Sequence, residues 1–282
     1  MSSHLLRICD PRAYFDQFII EEVYPDGRSI HNFRPVTVQM GVAPSVAGSS
    51  VARQGGATMI CKVEPMLAVM SDAPVIVPHL KAAPEISQSV LEDLEDLVCQ
   101  LVNQEAFISK ESLKTGDGRL TWILHLNIMI LHMDGFVMDA LTTCVMGALM
   151  DLSLPEISLN LDVEASLELS KIVVGKTQKV LEIADVPVSC TYLIYDLPNS
   201  ESKILCDPVA DLYPIASCNV IIIAGNNSKL HKIIQRGACD PELLRKMVSM
   251  AFGRQKMVAE SLMKARSRHL KEKKDVSSDI ID

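Results

Sequence analysis

The sequence has no excess of basic residues. Its 282 residues include 27 Lys and Arg against 35 Asp and Glu, which gives a formal net charge of -8 and a pI of about 5.4. Proteins that hold nucleic acid on their own, through its phosphates, usually carry a basic face or a basic balance. We therefore expect either no nucleic-acid binding or a few contacts made within a larger assembly.

Cysteine pairs with metal-site spacing are also lacking. The eight cysteines form no CxxC pair, and none lies near a histidine at zinc-finger spacing. Most lie in apolar runs, such as residues 58–63 and 217–223. We therefore expect buried free thiols in a reducing compartment, and neither a metal nor another cofactor.

Long apolar runs are absent. The longest one, WILHLNIMILHM at residues 122–133, contains His125, Asn127 and His132 and is too short to span a bilayer. Residues 1–12 show no apolar core behind a positive flank, so we expect no signal peptide. Because 48% of the residues are hydrophobic and 22% charged, we expect a globular, soluble, intracellular protein without a membrane partner.

The periodicity of the first half indicates strands and helices in one mixed unit. Alternating or β-branched runs predict strands and helically spaced apolar residues predict helices. The predicted elements are a helix at 11–23, a turn at 24–28, an antiparallel meander of strands at 36–40, 48–53 and 58–63, a proline-containing loop at 71–84, a helix at 86–107, a central strand at 120–133 and a helix at 139–152.

The second half likewise has several strands followed by a helix, and it lacks the extra helix and strand of the first half. Strands are predicted at 178–183, 188–195, 203–206, 217–224 and 229–234, and a helix at 240–269. The chain is thus expected to be α/β (α+β), with two similar β-sheet/helix subdomains. The predicted divisions are an N-terminal helix and turn (1–30), a first subdomain (31–160), a second (161–270) and a disordered tail (271–282).

Two histidines of the central strand are candidates for burial. His125 and His132 lie an odd number of residues apart, which places them on opposite faces of a strand, so they cannot share one metal ion. We expect both to be buried and hydrogen-bonded.

Residues 25–61 resemble the opening of RNase PH-family proteins. The run Pro25-Asp-Gly-Arg28 is followed by Phe33-Arg34-Pro35, Gly48-Ser-Ser and Val51 to Cys61, in the order PDGR, R, GS and G-x-T-x-x-C. The likeness is greatest to exosome ring subunits of the non-catalytic branch, the forty-two and forty-three types, and we favour the latter. It continues through 120–152 and 186–223 and implies an RNase PH-like fold.

Active members of this family have a DGGTR-like motif after the central strand. Phosphorolysis attacks the terminal phosphodiester of RNA with inorganic phosphate, so an arginine and a hydroxyl must hold one anion against another. The matching stretch here is Asp134-Gly-Phe-Val-Met138. The resemblance therefore puts Val137 at the hydroxyl position and Met138 at the arginine position, and a methionine cannot bind phosphate.

The family's acidic pair is also incomplete. The resemblance aligns residues 207–211 and 217–219 with the acidic segment, so that Asp211 keeps the first carboxylate and Ser217 replaces the second. A metal or general-acid role needs converging carboxylates. The helix at 86–107, which carries RNA-binding arginines in active members, has none here. Together these losses predict that the chain is not an enzyme.

The remaining basic residues divide into three groups. We expect Arg28 and Arg34 to pair with acids and fix the N-terminal segment. Arg53 and Arg119, near predicted loop or strand ends, are the candidate RNA contacts. The basic run at 264–274 is either a solvated helix end, whose cations suit the helix dipole, or a nuclear-targeting or RNA-contacting tail.

The resemblance implies a structural, catalytically inactive subunit of the hexameric exosome ring. Its partners would be other RNase PH-like ring subunits, S1/KH-type cap subunits and single-stranded RNA, in rRNA maturation and mRNA turnover, in the nucleus with its nucleolus and in the cytoplasm. A mean hydropathy of +0.21 fits large obligate interfaces. The alternatives are a phosphate-dependent 3′→5′ exoribonuclease and a free-standing RNA-binding adaptor.

Overall fold

The computed structural model of the chain describes residues 3–69, 74–83, 88–104, 108, 110–115, 119–135, 137–159, 172–198 and 201–278. The helices are α1 (Ser3–Cys9), α2 (Pro11–Ile19), α3 (Gln88–Val102), α4 (Met138–Asp151) and α5 (Pro241–Ser278). The strands are β1 (Val36–Met40), β2 (Gly48–Gln54), β3 (Ala57–Val69), β4 (Ile76–Ala82), β5 (Leu120–His132), β6 (Ser153–Leu159), β7 (Ile172–Val180), β8 (Val188–Tyr195), β9 (Lys203–Cys206), β10 (Cys218–Ala224) and β11 (Leu230–Arg236).

Two main sheets account for most of the strands. The first has the order β1-β2-β3-β5-β4 and the second β11-β10-β8-β9. All neighbours are antiparallel except β4 and β5, which are parallel. A third, two-stranded sheet joins β6 to β7 across the boundary predicted between residues 160 and 161. The α/β class predicted from the sequence is confirmed.

Helix α4 lies between the two main sheets. Every residue from Met138 to Met150 is buried. It contacts β1, β2 and β3 on one side and β8 on the other. A helix that is apolar on all sides belongs in a core, so the run of Ala, Leu and Met residues accounts for this position. Helix α5 lies across β1, β8 and β10 and covers the same core.

A smaller core joins the N-terminal segment to the second sheet. Phe15 and Ile19 of α2, with Tyr24, pack against Leu193 and Tyr195 of β8. Asp10 caps α2 by accepting a hydrogen bond from the Ala13 amide, and Pro11 occupies the first turn. Gly27 has φ of +83°, as the predicted turn at 24–28 requires. Helix α1 was not predicted.

The loop predicted at 71–84 is wrong in its central part. Residues 76–82 form β4, which pairs with β5 in parallel although Pro78 lies at its centre. The strand is at the edge of the sheet, where one side of its backbone has no neighbouring strand, and an edge tolerates a residue without an N–H group. Residues 71–73 and 84 of the predicted loop lie outside the described residues.

The prediction of two buried histidines is also wrong. His132 is exposed, and His125 is half-buried on the outer face of the first sheet. Its ring stacks on that of His79 at 5.3 Å between centroids, with 3.0 Å from Nδ1 of His125 to Nε2 of His79. Residue 79 lies in the strand predicted as loop, so this partner was invisible in the sequence.

The tail predicted to be disordered from residue 271 is helical up to Ser278, because α5 extends nine residues beyond the predicted end at 269. Residues 279–282 lie outside the described residues. Helix α3 ends at Val102, before the predicted end at 107, and buries Leu91, Leu94 and Val98 against the first sheet. Residues 86–87 and 105–107 of the predicted helix lie outside the described residues. Within the described part of the chain, no helix is both long and apolar enough to cross a bilayer.

Candidate functional site

The loop between β5 and α4 packs tightly on the loop that follows β9. Gly135 has φ of +80°, and a Cβ atom built on it would lie 2.8 Å from the carbonyl oxygen of Pro208. The resemblance predicts the family's phosphate motif in this loop and its acidic segment from Asp207 onward. The fold therefore brings the two sequence-predicted parts of the site together. Phe136 lies outside the described residues.

Val137 and Met138 are inside the main core. Their exposed fractions are 3% and 0%, and both belong to the hydrophobic cluster around α4. Neither side chain can donate a hydrogen bond, and no side chain caps the first turn of α4. An anion cannot reach these positions without opening the core. Their role as lost phosphate ligands stays a prediction that rests on the family alignment.

Arg34 occupies the space beside this loop and is fully engaged by carboxylates. Its Nε and Nη2 atoms donate to the two oxygens of Asp207 at 2.9 and 2.8 Å, and its Nη1 atom donates to Asp134 at 2.7 Å. Its backbone amide also donates to Asp207 at 2.8 Å. The expected pairing of Arg34 with acids is confirmed, and it joins the N-terminal segment to both loops.

This ion-pair cluster is largely shielded from water. The side chain of Arg34 is 12% exposed and that of Asp207 is 7% exposed. Burial by itself would raise the pKa of Asp207, but the hydrogen bonds and charge of Arg34 outweigh it and hold the pKa below its usual range. The same carboxylates outweigh desolvation at Arg34 and raise its pKa. A bidentate pair of this kind leaves the guanidinium few donors for another anion.

Arg28 stabilises the same region. Its Nη1 and Nη2 atoms donate to the carbonyls of Cys206 and Asp207, and its Nε atom lies 3.6 Å from Asp26. The guanidinium also lies over the ring of Tyr24 at 4.2 Å. Its expected role in fixing the N-terminal segment is confirmed.

The predicted acidic position and its replacement are both occupied by other contacts. Asp211 forms an ion pair with Arg7 of α1, at 2.6 Å from Nη2 and 2.7 Å from Nε. The hydroxyl of Ser217 donates to the carbonyl of Ile194 at 3.0 Å. Across the described residues, no three His, Cys, Asp or Glu side chains converge as a metal site would require. The roles assigned to these two residues stay predictions.

Asp139 is a buried acid that sequence reasoning missed. It lies directly after Met138 and accepts hydrogen bonds from the Ser189 hydroxyl at 2.9 Å and from the amide and hydroxyl of Thr191 at 3.0 and 2.8 Å. Desolvation, followed by the charge of Asp207, raises its pKa to about 7. Two features of the sequence could have indicated this site. One is the acid at the start of an apolar helix, and the other is the pair Ser189 and Thr191 on one face of a buried strand.

Arg53 and Arg119 are exposed but far apart. Arg53 of β2 is paired with Thr58, which is paired in turn with His132 at the end of β5. Arg119 precedes Leu120 at the other end of that 13-residue strand. At about 3.4 Å per residue the two lie roughly 40 Å apart. They cannot contribute to one compact site, and their contact with RNA stays a prediction.

Comparison with known proteins agrees with this architecture. Residues 32–155 match the family described as "3' exoribonuclease family, domain 1", the RNase PH domain. The exosome complex component rrp43 of Schizosaccharomyces pombe is 23% identical over 255 residues, which cover 86% of this chain and 91% of the yeast protein. The exosome complex component Rrp42 of Methanothermobacter thermautotrophicus is 24% identical, with coverage of 70% and 73%.

The solved structures include the Archaeoglobus fulgidus exosome with RNA bound to the active site. One of its chains superimposes with a TM-score of 0.72 at 20% identity, over 91% of this chain and 98% of that chain. An archaeal exosome core gives a TM-score of 0.71 over 93% of this chain and 98% of that chain, also at 20% identity. Residues 32–155 thus match the RNase PH domain, and over most of its length the chain shares the fold of these archaeal exosome chains.

Proposed function

We propose that this chain is a non-catalytic subunit of an exosome ring of RNase PH-like subunits. The observation that carries this proposal is the complete burial of Met138 at the position where active family members hold phosphate. With Val137 also buried and Arg34 bound to two carboxylates, the loop offers no cation or hydroxyl for phosphate. The subunit serves 3′→5′ RNA processing, including rRNA maturation and mRNA turnover, through the activity of other chains, in the nucleus and its nucleolus and in the cytoplasm.

The outer face of the first sheet supports a role in assembly. Met66 of β3 and Met129 and Leu131 of β5 are 58%, 49% and 47% exposed. They project from the face of the sheet that points away from α4. The alternate residues of β5, such as Leu126 and Ile128, point towards α4 and are buried. Met129 and Leu131 lie next to each other on this face, whereas Met66 pairs with Ile123 near the other end of β5. Exposed apolar patches mark interaction surfaces more often than free surface. The partners are RNase PH-like ring subunits, S1/KH-type cap subunits above the ring and single-stranded RNA within it.

An edge strand offers a second interface. β11 is a seven-residue edge strand that contains no proline, and several of its side chains are exposed. Unpaired backbone N–H and C=O groups at such an edge can accept a strand from a neighbour. Such an edge suits pairing with a neighbouring RNase PH-like ring subunit.

Co-purification of the endogenous complex tests this function. The tagged chain should be recovered with RNase PH-like and S1/KH-type proteins in equal amounts, as measured by mass spectrometry of the intact complex. Met129→Glu with Leu131→Glu should lower this recovery at least tenfold, because charges would have to be buried in the interface. The matched control is Arg245→Glu with Lys246→Glu, which changes exposed charged residues of α5, away from the outer face of the first sheet. A stable monomer in cell extract would contradict the proposal.

A further inference from the structure

Helix α5 carries a row of exposed cations that the candidate site does not use. Lys256, Lys264, Arg268 and Lys271 all lie in an arc of about 120° on one side of the helix, at 100° per residue. They extend over 15 residues, or roughly 22 Å at 1.5 Å per residue. This part of the chain is therefore strongly basic although the whole chain has a net charge of -8.

These four side chains line a concave groove between α5 and the turn that joins β10 to β11. The groove has a volume of about 1020 Å³, and its opposite wall is the turn Asn226–Ser228. Gln255 of α5 donates to the side-chain oxygen of Asn226 at 2.8 Å, which fixes the turn against the helix. We call this feature the basic groove.

None of the four cations forms an ion pair with a carboxylate of the described residues. The neighbouring Lys273 and His269, by contrast, both contact Asp151. Glu260 is the one acid among the residues that line the groove. With four cations and one carboxylate, the lining carries a formal charge of +3, which would attract a polyanion.

The basic groove continues towards the predicted RNA contact Arg53. A second recess, of about 500 Å³, lies between α5 and strands β1 and β2 and is lined by Arg53, His269, Glu272 and Arg268. Arg268 therefore borders both recesses. The cations of the two recesses therefore form one row, which runs from the turn between β10 and β11 to Arg53 in β2.

The groove is separate from the candidate site. The turn Asn226–Ser228 follows the last residue of β10, whereas Ser217 precedes its first residue. The seven residues of that strand put the two regions roughly 20 Å or more apart at about 3.4 Å per residue. The groove lining includes no residue of the loop at Asp134 or of the Arg34 ion pairs, although Arg254, next to Gln255, donates to the backbone carbonyl of Arg34.

The lining of the groove favours a nucleic-acid backbone over a peptide. Only Ala259 and Met263 contribute apolar side chains, which is too little to anchor an amphipathic helix by its apolar face. Apart from Glu260, the remaining lining residues are cations or carry amide and hydroxyl groups, the groups that contact phosphate and sugar. No aromatic side chain lines the groove, so bases have nothing on which to stack.

From this geometry we infer that the basic groove binds the phosphodiester backbone of single-stranded RNA. A flexible single strand can follow a concave wall, and contact through phosphates alone makes the binding independent of base sequence. The inference rests on the charge and geometry of α5 and does not require membership in a ring. It adds an RNA contact outside the family's catalytic pocket.

The test uses the full-length chain and a fluorescently labelled 12-nucleotide oligouridine. Fluorescence anisotropy should detect binding at 50 mM KCl. A fourfold phosphate contact predicts that log K falls against log salt concentration with a slope of about -2.8. The triple variant Lys256→Glu, Lys264→Glu, Lys271→Glu should bind at least tenfold more weakly. An oligoadenosine of equal length should bind within about twofold of oligouridine.

The matched control is the triple variant Lys62→Glu, Lys81→Glu, Arg236→Glu. It changes the net charge by the same amount at exposed positions outside the basic groove. It should retain binding within about threefold, and circular dichroism should show that both variants are folded. Equal losses in the two variants would overturn the proposed site, because the effect would then reflect net charge alone.

A polyglutamate peptide of the same charge separates RNA from an acidic protein ligand. It should compete at least tenfold less well than RNA, and equal or tighter peptide binding would overturn the RNA assignment. In the co-purified complex, 4-thiouridine crosslinks should map to residues 256–271. Crosslinks confined to other regions would contradict the inference, whereas failure of co-purification would count only against ring membership.

Discussion

Two cationic regions of this chain use positive charge in opposite ways. Arg34 is 12% exposed and donates to two carboxylates, whereas Lys264 and Arg268 are exposed and pair with no described carboxylate. A buried charge must be compensated within the fold, because its desolvation costs several kcal/mol. Exposed cations remain available to an outside anion. Arg34, in the stretch Phe33-Arg34-Pro35, thus has a structural role. The cations that are free to bind RNA lie on α5.

The largest effect should come from restoring an arginine where active relatives have one. Met138→Arg should lower the free energy of unfolding by about 4 kcal/mol or more, because it places an unpaired charge in the core between the two sheets. Urea denaturation measures this. Met66→Arg, at a position 58% exposed, should change it by less than about 1 kcal/mol. A stable Met138→Arg variant that binds phosphate would show that this position is accessible.

The next effect concerns the Arg34 ion pairs. Arg34→Met should cost about 3 kcal/mol, because it leaves Asp207 buried without its partner. Arg34→Lys should recover only part of this loss, since an ammonium group cannot form the bidentate contact. Arg53→Met, which removes an exposed cation, serves as the control in the same urea measurement. If the control were equally destabilised, the contrast between buried and exposed cations would be lost.

Asp139 gives the buried region a distinct pH dependence. Its folded pKa of about 7 lies above the unfolded value near 3.8, so the folded state holds the extra proton between these values. Stability from this group is full below the unfolded pKa and is lost as pH rises through 7. Relative to Asp139→Asn, the natural chain should gain up to about 1.4 kcal/mol per pH unit as pH falls from 7 to 5. Parallel stability curves for the two proteins would contradict this.

The smallest effect should come from the basic groove. Lys264→Gln with Arg268→Gln should change the free energy of unfolding by less than about 0.5 kcal/mol, because neither cation has a partner to lose. Thermal and urea unfolding should agree on this. A loss above 1 kcal/mol would mean that these residues stabilise the fold and are not held free for a ligand.

The sequence predicts local structure well where local patterns determine it. Strand β8 and the first meander follow from β-branched and alternating residues, and the pairing of Arg34 with acids was also expected. Its partners Asp134 and Asp207 are 100 and 173 residues away, and no local pattern identifies them. Likewise, Pro78 argues against a strand at 76–82. A strand with a proline is tolerated at a sheet edge, but the position of β4 at the edge depends on the whole topology.

The features of the site also divide into those that the sequence indicates and those that depend on tertiary packing. The resemblance puts Val137 and Met138 at the phosphate positions, which stays a prediction, and their burial follows from packing α4 between two sheets. Asp139 was missed because its hydroxyl partners Ser189 and Thr191 lie about 50 residues away. The basic run of α5 was visible in the sequence. Its groove was not, because the opposite wall is a turn from another strand pair.

The most direct test of the central claim is a phosphorolysis assay on the full-length chain. The purified protein is incubated with 3′-labelled RNA and inorganic phosphate, and released nucleoside diphosphate is measured by chromatography. We predict no release above the protein-free blank at any phosphate concentration, because no described residue of the loop at 134–138 can hold the attacking phosphate. Release of nucleoside diphosphate that depends on phosphate and follows the chain through purification would contradict this.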